Sequence, residues 1–216
     1  MSIKDNNLKI FKQQSKKEKI VLGYKTSEGW ISDPKHLSFE LSRYKFVSKM
    51  LEGCNNVLEV GAGDGFKSDI VYDVVKNLTI SEYTDVYKKD YKGNAKYIIH
   101  DFLKKKLKKS FDGIYAIDVL EHIDKKKENI FIKNILLSLN KNGILIFGMP
   151  TIESQKYASK LSKVGHVNCK NKNSFRKLMK NYFHSVFMFS MNDEVIHTGY
   201  DKMSHYIFAV CANKKK

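Results

Sequence analysis

Arginine is almost missing from this chain of 216 residues: of 39 basic side chains only Arg43 and Arg176 are arginine, and the rest are lysine. A formal charge of +16 would by itself suggest a partner rich in phosphate. Reading a base sequence, however, leans on the planar guanidinium fork, so nucleic acid is not the expected partner. The excess of lysine, with much asparagine and isoleucine, fits either a genome-wide composition bias or an anionic substrate or surface. Cysteine is also scarce. Cys54, Cys169 and Cys211 are odd in number and show no CxxC spacing, so reduced, buried thiols are expected rather than a disulfide framework. Long apolar runs are lacking as well. Ile144 to Phe147 and Ile135 to Leu137 fall far short of the ~20 residues that a membrane-spanning helix needs. In MSIKDNNLKIFKQQSKKEK, charges interrupt every apolar pair, which leaves no room for the middle of a secretion signal. The expected location is the cytoplasm.

What is present is 42% apolar content, enough for one α/β domain over residues 1–216. Residues 1–38 read as a polar arm or lid, with a turn-like SDPKH at 32–36, and 39–212 as the core. Phe39, Leu41, Tyr44, Phe46, Val47, Met50 and Leu51 recur at helical spacing. Strand-like runs follow at 56–60, 78–81, 96–99, 114–118, 144–147, 186–191 and 206–211, and helical stretches separate most of them. That alternation predicts a mostly parallel sheet. A helix over Lys126 to Leu139 is expected to end at Asn142-Gly143, with glycine in the left-handed capping conformation. Ser68 to Lys76 reads as another helix. The last two strands have too short a connection for a crossover, so they should pair antiparallel. The lysine clusters at 104–109 and 214–216 read as solvated turns and a frayed end.

The segment Gly61-Ala62-Gly63-Asp64-Gly65 follows a strand and opens a helix, which suits close backbone approach to a ligand and free N–H groups aimed at it. A dinucleotide fingerprint wants its third glycine at position 66, but Phe66 stands there and Gly65 comes one residue early. Glu82 ends the second strand 21 residues after Gly61, where a carboxylate can accept two ribose hydroxyls; Asp85 is the fallback. Asp101 closes the third strand on the same sheet edge. It can accept from an adenine amino group with Phe102 against the ring, or simply cap a turn.

Taken in order and spacing, VLEVGAGDGF (57–66), IIHDF (98–102), FDGIYAIDVLEHI (111–123) and NGILIFGMP (142–150) resemble class I S-adenosylmethionine-dependent methyltransferases over about residues 40–212. The resemblance implies a Rossmann-like α/β fold, with a seven-stranded, mostly parallel sheet whose last strand is antiparallel and helices on both faces. It implies S-adenosylmethionine as cofactor, S-adenosylhomocysteine as product, and a cofactor site of Glu59, Gly61, Gly63, Glu82, Asp101 and Phe102, with Ile117 and Asp118 beside the sulfonium. LSRYKFVSKML looks like the helix of ubiquinone-type small-molecule O-methyltransferases in which an arginine meets the cofactor carboxylate, which puts Arg43 in that role or leaves it a helix-surface cation. FELSRYKFVSKML and the tail NDEVIHTGYDKMSHYIFAVC look like methyltransferases of surface-polysaccharide biosynthesis.

Methyl transfer from a sulfonium asks the protein to align two partners and manage one proton. His122, after the fourth strand, is the first candidate for the proton, and His166, in a loop that can close over the acceptor, is the second. Asp118, Glu121 and His122 also form a DxxEH arrangement that resembles the metal-binding ExxEH of some methyltransferases, with His166 as a fourth candidate for Mg²⁺ or Mn²⁺. No metal ligand is assigned. The expected acceptor is small, polar and sugar-like or anionic, methylated on oxygen. Alternatives are N-methylation of a small phosphorylated amine, or RNA methylation. The absence of an Asn/Asp-Pro-Pro-Tyr motif after the fourth strand mildly favours oxygen.

Overall fold

Alternation along Asn56–Val60 explains why this run becomes β1. Val57 joins the apolar cluster on one face of a sheet, while Leu58 and Val60 join the cluster on the other. In the computed structural model, which describes residues 2–16 and 19–215, β1 sits among β2 (Asn77–Glu82), β3 (Lys96–Ile99), β4 (Phe111–Ile117), β5 (Leu139–Pro150), β6 (Phe183–Asn192), β7 (Val195–His197) and β8 (Tyr206–Lys214). The order across the sheet is β3-β2-β1-β4-β5-β8-β6-β7. The first five strands are parallel neighbours, and β8 runs antiparallel between β5 and β6. The described residues thus form eight strands where seven were expected. β7 is the addition, pairing three residues of the last connection with the edge of β6.

Helices cover both faces. α3 (Pro34–Leu51) lays Tyr44, Val47 and Leu51 on one, while α5 (Glu128–Leu136) and α7 (Lys172–Lys180) lay Phe131, Ile132, Ile135, Phe175 and Met179 on the other. Each such side chain stabilises the fold by ~1.5–3 kcal/mol on burial. The SDPKH turn is the start of α3: Asp33 accepts from the His36 N–H at 3.1 Å, and Pro34 takes the first helical position. Ahead of it, α1 (Ile3–Gln14) buries none of its residues, and α2 (Tyr24–Ser32) packs on α3. Among the described residues no helix is long and apolar enough to cross a membrane.

Three local expectations need correction. The helix after the glycine turn is only α4 (Asp69–Tyr72), because Val74 and Lys76 are drawn into backbone bonds with Gly53 and Cys54 and the chain must enter β2. The helix expected to reach Leu139 stops at Leu136, and Gly143 lies inside β5 without a left-handed φ. Its lack of a side chain serves packing, since a Cβ there would stand 2.5 Å from Leu139. The last carbonyl of that helix is met instead by Lys214, whose ammonium donates to the Leu136 oxygen at 2.8 Å and to the oxygen of Leu139, at the start of β5, at 2.6 Å. That part of the lysine tail is therefore structural; residue 216, like 1, 17 and 18 of the arm, lies outside the described residues.

Candidate functional site

The strand order reverses direction between β1 and β4, and open α/β sheets collect ligands at the carboxyl ends of strands beside such a point. A cleft of about 520 Å³ opens there, within the size range of small-molecule sites. Gly61, Glu82, Asp101, Phe102, Asp118 and His122 all line it. Gly61, Gly63 and Gly65 turn the chain with φ of 82°, 59° and 75°, the left-handed region that favours glycine. A Cβ on Gly61 would stand 2.4 Å from Val119, another lining residue. The glycine N–H groups of this turn, expected to be free, are engaged. Gly61 and Ala62 donate to the Ser81 carbonyl at 2.8 and 3.1 Å, and Gly63 donates to Glu82 Oε2 at 3.0 Å. What the turn offers a ligand is space, and a clasped carboxylate. Glu82 accepts a second bond from the Tyr83 N–H at 2.9 Å and is largely buried, yet its side chain faces the cleft.

Asp101 stands after β3, where its Oδ1 accepts from the Leu103 N–H at 2.8 Å. Phe102 is 2% exposed and packs edge-on to Phe131, so it forms the floor more than a free plate. His100, unassigned from sequence, lines the cleft and meets Phe102 edge-to-face, with its Nε2 2.8 Å from the Lys105 carbonyl.

Two expected cofactor residues point elsewhere. Glu59 is one residue before Val60, so the two-residue period turns it into the layer under α3. There it accepts from the hydroxyls of Tyr44 at 2.6 Å, Tyr115 at 2.7 Å and Ser68. Burial pushes its carboxyl above the usual range, against the lowering by those hydroxyls. Ile117 is core at 3% exposure and does not line the cleft. Arg43, too, is inside: its Nη1 donates to Asp118 at 2.8 Å and its guanidinium lies 4.0 Å over the Tyr206 ring. Asp118 closes β4 with φ of 57°, unusual outside glycine and at home in sites where backbone is held for a purpose. Burial would raise its carboxyl, but the charges of Arg43 and Lys67 outweigh this and hold it below the usual range.

At the other end of the cleft, the 3-10 turn Leu120–His122 presents His122 outward and Glu121 inward. His122 Nδ1 lies 2.9 Å from the Gly165 carbonyl, which closes α6 (Lys160–Gly165), and the rings of His122 and His166 stand 5.0 Å apart. His166 does not line the cleft itself; it backs His122. Burial, then the neighbouring His122, lowers the His166 imidazole's affinity for a proton.

The sequence profile of a family described as a methyltransferase domain matches residues 27–182. The chain belongs to this methyltransferase family. No curated protein matches it in sequence. Among solved structures, the methyltransferase is similar to the N-methyltransferase NodS from Bradyrhizobium japonicum WM9 in complex with S-adenosylhomocysteine, with TM-score 0.61 and 17% identity over 83% of this chain and 86% of that one. It is also similar to the plantazolicin methyltransferase BpumL in complex with the same product, at TM-score 0.65 and 12% identity over 87% and 88% of the two chains. A third likeness is to an S-adenosylmethionine-dependent methyltransferase from Clostridium acetobutylicum ATCC 824, at TM-score 0.63 and 11% identity over 81% and 91%. At such identities the likeness is one of fold.

The methyltransferase also uses its N-terminal arm in a way that sequence reasoning left unassigned. Buried Asp64, in the glycine turn, accepts from the Thr26 N–H at 2.7 Å and the Thr26 hydroxyl at 2.9 Å. Gly23 sits so close that a Cβ would fall 2.5 Å from Asp64. This seats α2 on the turn and carries Lys25 into the cleft lining, with Tyr83 and Tyr87 on the same wall. The one signal in the sequence was Asp64, an acid in a tight turn that has to find donors if it is buried.

Proposed function

We propose that this methyltransferase transfers a methyl group from S-adenosylmethionine to a hydroxyl oxygen of a small polar acceptor, with a sugar or polysaccharide precursor as the favoured class. The carrying observation is Glu82: two backbone N–H groups hold its carboxylate at the end of β2, facing a cleft of about 520 Å³ under the glycine turn. A carboxylate has about four lone-pair sites, so two remain for a pair of ribose hydroxyls. On this reading Asp101 meets the adenine amino group, and the part of the cleft lined by Gly61 takes the methionine part. Lys25 is the cation we place near the cofactor carboxylate. Arg43 acts one step back, orienting Asp118 on the sulfonium side, because its Nη1 is engaged there.

When bound, the cofactor supplies a methyl group on a cationic sulfur that leaves as a neutral thioether. The chain's own work is to align the acceptor, worth ~7–11 kcal/mol of barrier, and to handle the acceptor's proton. We assign the second task to His122, which lines the cleft, with His166 behind it. A carbonyl oxygen only accepts, so the bond to Gly165 fixes the His122 proton on Nδ1 and leaves a lone pair on Nε2 for the acceptor hydroxyl.

The test is label transfer from methyl-labelled cofactor into separate pools of nucleotide sugars, phosphorylated amines and total RNA. Label in the sugar pool, lost with His122→Ala, supports the reading. Label in amines or in RNA instead overturns the oxygen acceptor or the small acceptor, respectively.

A further inference from the structure

One charged cluster lies outside the cleft and has no part in the reaction as proposed. Glu128 opens α5, while Asn168 and Lys170 follow α6, and each of the three is less than a tenth exposed. Lys170 Nζ stands 2.6 Å from Glu128 Oε2, the Asn168 amide donates to the same oxygen at 2.8 Å, and Lys170 donates to Asn168 Oδ1 at 2.9 Å. The three groups close a triangle. Taking two charges out of water is costly, and apolar residues of similar size often hold a fold as well as a buried ion pair does. What the bonded pair supplies beyond packing is a fixed geometry, because each of its bonds has a set length and direction.

The triangle leads to a histidine on either side. Asn168 N–H donates to the Glu121 carbonyl at 2.9 Å, a tie from distant chain onto the three-residue turn that carries His122. The turn's own backbone bonds, from His122 N–H to Val119 and from Ile123 N–H to Leu120, are local. In the other direction, the Lys170 carbonyl accepts from the Ile152 N–H at 3.1 Å, and Lys170 bridges to Thr151. The Thr151 carbonyl accepts from Gln155 Nε2 at 3.1 Å, which turns Gln155 Oε1 toward His166 Nδ1 at 2.8 Å. His122 Nδ1 meets the Gly165 carbonyl at 2.9 Å, and the seating of residues 165–170 sets that distance. Oxygen acceptors on both Nδ1 atoms put the proton there in each ring and leave Nε2 as a lone pair.

We propose that Glu128, Asn168 and Lys170 are positioning residues that hold His122 and His166 in one orientation and one tautomer beside the cleft. None of the three lines the cleft, so they act through the chain they seat and not by touching a ligand. The Nε2 lone pair of His122 is thereby kept facing one way, ready for a proton. That this proton comes from the acceptor rests on the proposed methyl transfer; the hold on the two rings does not.

The test needs no turnover. Nitrogen–proton correlation spectra of the isotope-labelled full-length protein, taken at alkaline pH where imidazoles are neutral, read the tautomer of each ring. His122→Gln and His166→Gln assign the signals. The wild type should show both rings in the single Nδ1–H form. Two variants then loosen the triangle: Asn168→Ala keeps the ion pair, and Glu128→Leu with Lys170→Met replaces the pair by apolar side chains of similar size. In both, the two rings should shift toward the mixed tautomers of free imidazole, while circular dichroism and the heat of S-adenosylhomocysteine binding stay as in wild type. Wild-type ring spectra in either folded variant, mixed tautomers in the wild type itself, or loss of the fold in both variants overturns the proposal. Absence of cofactor heat from the wild type removes the methyl-transfer reading alone and leaves the ring result standing.

Discussion

Gly61 shows how much one missing side chain controls. Alanine there meets both an unfavourable φ of 82° and Val119 at 2.4 Å, so the turn has to shift. We expect Gly61→Ala to cost more than ~1 kcal/mol of stability and to weaken the cofactor at least tenfold; denaturation curves and calorimetry that match wild type would contradict this. The Arg43–Asp118 pair makes a prediction about pH. Asp118's folded pKa lies below its unfolded one, so its stabilisation is complete above about pH 4 and is lost as pH falls through the folded value. Asp118→Asn, which tolerates the left-handed backbone, leaves a buried guanidinium unpaired at a cost toward the low end of ~3–5 kcal/mol, since Asp118 is a quarter exposed. The stability gap between wild type and variant should be flat above pH ~5 and close below pH ~4. A gap that stays constant into acid would refute the pairing. Motif spacing picked out Gly61, Glu82, Asp101, Asp118 and His122, which share one cleft because the ends of parallel strands share one edge and spacing counts strand ends. It misread Glu59 and Ile117, whose side chains follow the strand's alternation into the core and not the edge.

At the level of elements, α2 is the segment whose placement a periodicity could not reveal. It has a single buried residue, Thr26, and docks through that residue's two bonds to Asp64. Thr26→Val keeps the N–H bond and removes the hydroxyl one, at ~1–3 kcal/mol. Hydrogen exchange of the amides in Tyr24–Ser32 should speed up, and cofactor affinity should drop as Lys25 leaves the cleft. Unchanged exchange would mean that packing on α3 alone seats the helix. Short elements escaped for similar reasons. The three residues of β7 are too few to show alternation, and the last carbonyl of α5 is met by Lys214, which lies far along the chain. The strands from 56 to 117 were legible because each is apolar and bounded by a turn.

For the whole molecule, a charge of +16 sits on a fold whose cleft is lined by acids as well as by Lys25 and His122, so charge alone does not name the partner. What ties the sheet, the glycine turn and the arm together is one expected ligand. The most direct measurement is calorimetric titration with S-adenosylmethionine and S-adenosylhomocysteine, on wild type and Glu82→Ala. The account predicts saturable binding of both ligands at one site, weakened at least tenfold, about 1.4 kcal/mol, by the substitution. No heat with wild type, or equal affinity in the Glu82→Ala protein, would contradict it.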